Sequence, residues 1–329
     1  MRRGLMSGRR PAAIAVLVVA AAAVAVLCLS VPAGAGGHRA VRTFDAAVVE
    51  PGGEVEVRIR ARDFGQFGRV SEALPEGWTY SGSSLPEAAV TVEDGGVVRF
   101  LLLNPEPSST FAFTYTLTAP DTDGVFALSG TIEDSARASV AVLGHREIVV
   151  VDASYTEPVA HLHTSGVLDG TLCADGFCPS RPVDRKTMAV WIVRLLDARD
   201  PRPITESRFD DVDPAGFHGR FIERLAELGV TAGCGDGRGF CPDRGASRAQ
   251  VAVLLSRAYD LPEGPDPGFS DVASDAWYAA DVARLAASGI TAGCGDGTGF
   301  CPDRDTTRGQ MAIFLHRAET ADTAGDPAG

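Results

Sequence analysis

Six of the seven cysteines fall into three close pairs: Cys173/Cys178, Cys234/Cys241 and Cys294/Cys301. A structural zinc needs four ligands, whereas each pair offers two sulfurs and no nearby histidine. One pair in each equivalent loop therefore predicts three local disulfides, provided the chain reaches an oxidising compartment. Asp236, Asp243, Asp296 and Asp303 lie beside the same pairs and raise the question of calcium. Their spacing lacks the alternating acids and bidentate glutamate of an EF-hand loop, and Asp-Gly is ordinary turn chemistry. The histidines at 38, 145, 161, 163, 218 and 316 are scattered. His161 and His163 stand two apart on an expected helix and so face different directions. The chain has no Gly-x-Ser-x-Gly elbow, no Gly-x-x-x-x-Gly-Lys-Ser/Thr loop and no His-Glu-x-x-His helix. The expectation is a protein without catalytic residues, metal or cofactor.

Charge narrows the partners. The 329 residues carry 30 Lys+Arg against 43 Asp+Glu, a formal net charge of −13. Lys186 is the sole lysine, which removes most lysine-dependent chemistry. Arg2, Arg3, Arg9 and Arg10 precede an apolar run from Ala12 to about Val31 and the small-residue sequence Ala33-Gly34-Ala35. That layout predicts a secretory signal peptide over residues 1–35, discarding Cys28 with it. The alternative is a retained membrane anchor, because the run is long for a signal. Without the leader the balance is 26 basic to 43 acidic, a net −17. Such a chain has no general attraction to nucleic acid or anionic lipid. No other segment is apolar enough to cross a membrane.

Internal repetition organises the second half. Residues 209–258 and 269–318 align without a gap at a period of 60. Both share Phe-x-Asp-Val, a turn ending Thr-Ala-Gly-Cys-Gly-Asp-Gly, the sequence Gly-Phe-Cys-Pro-Asp-Arg, and Ser/Thr-Arg-x-Gln. A divergent copy precedes them, with Gly176-Phe177-Cys178-Pro179 and Asp184-Arg185 but no Phe-x-Asp-Val. The predicted units are 152–198, 208–258 and 268–318, each helix–loop–helix. Ser247-x-x-Gln250 and Thr307-x-x-Gln310 read as capping boxes for the second helices, with Asp184 capping the first copy alone. Apolar stripes follow at helical spacing: Met188, Trp191, Ile192, Leu195; Val251, Leu254, Leu255, Ala258; Met311, Phe314, Leu315, Ala318. An isolated helix pair cannot bury such a stripe, whereas three packed together can.

Residues 41–151 alternate instead with period two, as in Val55, Val57, Ile59 and Ala61 or Phe111, Phe113, Tyr115 and Leu117. Seven or eight short strands separated by turns predict an antiparallel, all-β Ig-like sandwich. Leu74-Pro75-Glu76-Gly77-Trp78-Thr79-Tyr80 loosely resembles a segment of Ig-like repeats in bacterial surface proteins. Residues 319–329 are expected to form a disordered tail.

The Phe-x-Asp-Val lead-in, Trp277, the Gly-Val/Ile-Thr-x-Gly turn and the Arg-x-Gln second helix together resemble S-layer homology (SLH) repeats. The cysteine loop resembles the variant found in exported actinobacterial-type proteins. The resemblance covers about residues 152–318 and implies a mainly-α, three-repeat module with pseudo-threefold packing. It further implies binding of cell-wall polysaccharide, a secondary wall polymer, in grooves between repeats. The family's ligand-binding arginine maps onto Arg185, Arg248 and Arg308. Its usual glutamate is replaced by Gln250 and Gln310, and by Thr187 in the first copy. An arginine at a helix N-terminus opposes the macrodipole, which favours an added anion there. Trp277, as a sugar-stacking face or a core plug, completes the candidate glycan-binding set with Asp211 and Asp271. A structural bridge from those two acids to the arginines is the alternative, and the roles are compatible. The overall expectation is a multidomain, secreted cell-surface protein held on the wall, with the sandwich as display or binding module. The rival is a secreted adhesin or interaction protein whose helical repeats are only a disulfide-stapled scaffold.

Overall fold

The computed structural model describes residues 37–106 and 110–324, with side chains described through residue 321. The expected signal peptide, Cys28 and the last five residues of the tail lie outside this range. Among the described residues no helix is long and apolar enough to cross a membrane.

Among the described residues thirteen strands fall in the N-terminal half: β1 (Arg39–Phe44), β2 (Val48–Val49), β3 (Glu54–Arg62), β4 (Phe67–Ala73), β5 (Thr79–Ser83), β6 (Val90–Glu93), β7 (Val97–Leu103), β8 (Phe111–Thr118), β9 (Gly124–Ala127), β10 (Ser129–Glu133), β11 (Ser139–Ala141), β12 (Leu143–Gly144) and β13 (Glu147–Val150). They form two five-stranded sheets, β12-β1-β3-β8-β5 and β11-β10-β4-β7-β6, and a three-stranded sheet, β2-β13-β9. The expected sandwich is present, but it is not wholly antiparallel: β12 runs parallel to β1, and β2 parallel to β13. Alternation in β3 buries Val55, Val57, Ile59 and Ala61 and leaves the intervening charges outside. Phe100 of one sheet meets Phe113 and Tyr115 of the other, both with ring centroids 4.9 Å away.

Arg42 and Glu72 form an ion pair with both side chains fully buried, joining β1 to β4 across the sandwich. Arg42 also donates to the carbonyls of His145 at 2.8 Å and Leu128 at 2.9 Å. Burial pushes the Glu72 carboxyl up to about 7, against the opposing pull of Arg42.

The C-terminal half holds α1 (Ala153–Thr164), α2 (Arg185–Asp197), α3 (Gly219–Glu227), α4 (Arg248–Ala258), α5 (Ala279–Ala287) and α6 (Arg308–Ala324). The expected caps form. Asp184 accepts from Thr187 N, Ser247 and Gln250 make a capping box, and Thr307 and Gln310 exchange the same two bonds. Each second helix packs on the first helix of the next pair: α2 on α3, α4 on α5, and α6 back on α1. The strands leading into the second helices meet at the centre. Val183 N donates to Thr306 O, Thr306 N to Ala246 O, and Ala246 N to Val183 O, at 2.9, 2.8 and 3.2 Å. Three helix pairs thus close into a ring. The tail expectation needs correction, because α6 continues to Ala324 and Tyr259 holds Glu319 at 2.7 Å.

Sandwich and ring are not separate cores. In β13, Ile148 and Val150 point into the sandwich, while Val149 and the following Val151 join the helical core with Val48. That division follows from the two-residue period of a strand. A Cβ on Gly176 would stand 3.0 Å from Gly124 Cα, so β9 lies directly against the first cysteine loop.

Candidate functional site

The three expected arginines occupy equivalent and buried places. Arg185, Arg248 and Arg308 are 4%, 4% and 5% exposed. Each guanidinium crosses into the neighbouring pair and binds two backbone carbonyls of its cysteine loop. Arg185 donates to Phe240 and Gly233 at 2.8 and 3.2 Å, and Arg248 to Phe300 and Gly293 at 2.7 and 3.0 Å. Arg308 donates to Phe177 and Thr171 at 2.8 and 2.9 Å. The same guanidiniums sit over the rings of Phe240, Phe300 and Phe177, 4.7–5.2 Å from the centroids. The charge at each helix start is therefore answered first by carbonyl oxygens and an aromatic face.

Asp211 and Asp271 are not the ion-pair partners envisaged for those arginines. Asp211 accepts from Phe240 N and Cys241 N, and Asp271 from Phe300 N and Cys301 N, all at 2.7 Å. Burial tends to raise the Asp271 carboxyl, but the two N–H donors bring it below the usual carboxylate range. The Phe-x-Asp-Val lead-in thus holds the cysteine loop, with Phe209 and Phe269 packed on Phe240 and Phe300 at 5.6 and 5.8 Å. The first pair lacks this lead-in. There Phe177 stacks on Trp191 at 5.9 Å and the loop leans on β9.

Two of the three expected disulfides are present, Cys234–Cys241 and Cys294–Cys301. Cys173 and Cys178 are unbonded thiols, which corrects the expectation of one bond per repeat. The first loop differs in length, its cysteines standing five positions apart in sequence instead of seven. It also has another brace, the sandwich, and Arg181 lies against both thiols. The sites at Asp211 and Asp271 each bring a carboxylate near two sulfurs. Those sulfurs are bonded to one another and so are not available as thiolate ligands.

A cleft of about 230 Å³ opens beside the first loop, lined by Thr171, Arg181, Asp184, Thr187, His218 and Arg308. It draws residues from all three pairs: the loop and α2 start of the first, the α3 start of the second and Arg308 of the third. Burial and then Lys186 hold His218 below the usual histidine range. Arg181 is exposed beside buried Arg308, just as exposed Arg244 and Arg304 stand near Arg185 and Arg248. These three exposed arginines were not singled out from the sequence. Their signal was present in the shared Pro-x-Arg that follows each second cysteine. Trp277 is 68% exposed, so it is a surface platform and not a core plug. Its counterpart Phe217 is 38% exposed and lies beneath Arg194 and Arg220.

The S-layer homology domain model matches residues 208–252 and 268–312. A surface-layer 125 kDa protein of Lysinibacillus sphaericus is 32% identical over 112 residues, covering 34% of this chain and 9% of that protein. An S-layer-related protein of Niallia circulans is 48% identical over 56 residues, covering 17% of this chain and 3% of its own length. The chain thus spans less than a tenth of either curated relative. Among solved structures, a type I cohesin of Clostridium thermocellum aligns with 34% of this chain and 99% of its own, at 8% identity and TM-score 0.26. A non-cellulosomal cohesin of Archaeoglobus fulgidus aligns with 38% and 97%, at 14% identity and TM-score 0.27. Agreement that weak carries no functional argument for the sandwich. The family match falls on the two helix pairs whose lead-in aspartates and disulfides order the loops, so this chain carries two segments, 208–252 and 268–312, similar to the S-layer homology domain.

Proposed function

We propose that this is an exported surface protein held non-covalently on the cell wall by three SLH repeats, the divergent first pair included, and that it has no catalytic role. The carrying observation is the pairing of a buried with an exposed arginine at the start of each of the three second helices. Buried Arg185, Arg248 and Arg308 set the loops, while Arg244, Arg304 and Arg181 present charge at the groove mouths. A chain of net charge −17 without its leader would be repelled by anionic wall polymers at long range. Local guanidinium pairs are the features that would overcome this, through bidentate contacts to a sugar carboxylate or phosphate. Trp277 supplies an exposed ring for a sugar face. Asp211 and Asp271 serve the same site indirectly, by ordering the loops that form each groove.

The sandwich fits a display or binding module. One observation favours the second reading, a secreted interaction protein. Phe67, Leu101 and Leu103 are 56%, 47% and 56% exposed, with Phe67 and Leu103 directly paired between β4 and β7.

Sedimentation with wall sacculi separates the two. The full chain should pellet with intact sacculi and remain soluble once their polymers are stripped. The triple change Arg181→Ala, Arg244→Ala and Arg304→Ala should abolish pelleting while leaving the unfolding midpoint nearly unchanged. A chain that never pellets with intact sacculi refutes wall anchoring. Wild-type pelleting by the triple variant removes the exposed arginines from the site.

A further inference from the structure

The first cysteine loop keeps the backbone of the two bonded loops although its own sulfurs are thiols. Cys173 N donates to Gly176 O at 2.8 Å, as Cys234 N does to Gly239 O and Cys294 N to Gly299 O, both at 2.7 Å. The second cysteine is left-handed each time, with φ of 55° at Cys178, 57° at Cys241 and 58° at Cys301. That conformation is uncommon for a residue other than glycine, so Cys178 is held in the pose its bonded counterparts take. The loop does not need a bond for this. Gly176 stands against Gly124 of β9, and Arg308 grips the carbonyls of Phe177 and Thr171. The Cys178 thiol hydrogen-bonds with Cys173, both cysteines are partly exposed, and the Arg181 and Arg308 guanidiniums lie near the two sulfurs. Cys173, Arg181 and His218 all line the cleft of about 230 Å³. Accessible thiols beside cations are the reactive kind, because the thiolate attacks and positive charge favours it. Burial and then Cys173 hold the Cys178 thiol above the usual range, against the pull of Arg181, which leaves Cys173 as the first attacker.

We propose that Cys173 and Cys178 are a thiol–disulfide exchange site, resting as a dithiol and oxidised reversibly by a small anionic disulfide that enters the cleft. Cys173 loses its proton, and its thiolate attacks one sulfur of the incoming disulfide. The incoming S–S bond breaks, and half of the reagent leaves as a thiolate that takes up that proton. Cys178 then loses its proton and attacks the Cys173 sulfur of the mixed disulfide, so that the second half leaves as a thiol. The two protons and two electrons lost by the cysteines depart on the two reagent thiols. Arg181 serves twice, by favouring the thiolate and by holding a reagent carboxylate in bidentate fashion. Oxidation would give the first helix pair the staple that the other two already carry. The exchange goes beyond wall binding and does not depend on it.

The test uses the full chain in mixtures of reduced and oxidised glutathione, quenched with acid and alkylated, with cysteine states read by peptide mass spectrometry. The peptide holding Cys173 and Cys178 should lose two hydrogens as the oxidised fraction rises and regain them as it falls. Cys234–Cys241 and Cys294–Cys301 should stay bonded across the same mixtures. Cys178→Ser should instead accumulate glutathione on Cys173, because the second attack is removed. Oxidised glutathione should react faster than cystamine, a cationic disulfide. Arg181→Gln should slow the glutathione reaction at least ~3-fold, about the worth of one exposed ion pair, and slow the cystamine reaction less. Thiols that never oxidise, or that stop at a bound glutathione in the unsubstituted chain, overturn the proposal. A preference for cystamine overturns it too, as does an Arg181→Gln variant as fast as the unsubstituted chain.

Discussion

Arg308 Nε donates to the carbonyl of Phe177 at 2.8 Å, joining the last helix pair to the first across 131 residues. The equivalent bonds of Arg185 and Arg248 span only 55 and 52 residues, because each reaches forward to the next pair. Arg308 reaches backward and closes the ring. Its fork also takes the carbonyl of Thr171, and its plane covers Phe177 and Trp191.

Replacing Arg308 with alanine should therefore cost about 3 kcal/mol, since two buried carbonyls lose a charged donor. Arg308→Lys should recover little of this, because an ammonium cannot reproduce the fork or the aromatic packing. Urea denaturation of the three proteins checks both expectations.

Thiol accessibility distinguishes the loops. Alkylation of the folded protein without reductant should label Cys173 and Cys178 and leave Cys234, Cys241, Cys294 and Cys301 unlabelled, as read by peptide mass spectrometry. Changing Cys234 and Cys241 together to serine should lower stability by about 2.5 kcal/mol on the loop-entropy account.

The buried Glu72 should impose a pH dependence opposite to that of ordinary paired carboxylates. Its carboxyl is raised from 4.5 to about 7 in the folded chain, chiefly by burial. Between those values the native state holds a proton that the unfolded chain has released, so its contribution to stability falls as pH rises through the window. The stability difference between wild type and Glu72→Gln should accordingly shrink from pH 4.5 to 7. Denaturation at several pH values measures it, and a difference that grows would refute the assignment.

Val149 tests the shared core. It is fully buried, and it faces the helices from a strand whose neighbours face the sandwich. Val149→Asp should destabilise the whole protein by at least ~3 kcal/mol, through a buried unpaired charge. Calorimetry of the wild type should show one transition for sandwich and ring together.

Trp277→Ala should change stability by no more than ~0.5 kcal/mol, as expected for an exposed side chain. The same variant should pellet less with sacculi. Full retention of pelleting would take Trp277 out of the glycan site.

Period-two alternation in β3 and β8, the capping boxes at Ser247 and Thr307, and the apolar stripes of the second helices were all legible in the sequence. Each is a local pattern, written within one turn or one strand. The family resemblance was legible for the same reason, because the repeated motif sits on contiguous residues. Short strands near Phe126 and Val149 were legible too, but their assembly with β2 into a separate sheet was not, since β2 has only two residues and the pairing joins segments far apart in sequence. The expectation of three alike disulfides failed at Cys173 and Cys178, where a different loop rests against β9.

The sequence alone thus determined the longer strands, the helices, and that the second and third helix pairs are copies of one unit. Only the tertiary structure decided what the helix-start arginines touch, because their partners are carbonyls 52, 55 and 131 residues away. It likewise decided that the imidazole of His161 meets that of His316 and not that of His163, since α1 and α6 become neighbours only when the ring closes. A side chain's own position can be read from local periodicity. Its partner across the ring cannot, because closure is a property of all three pairs at once.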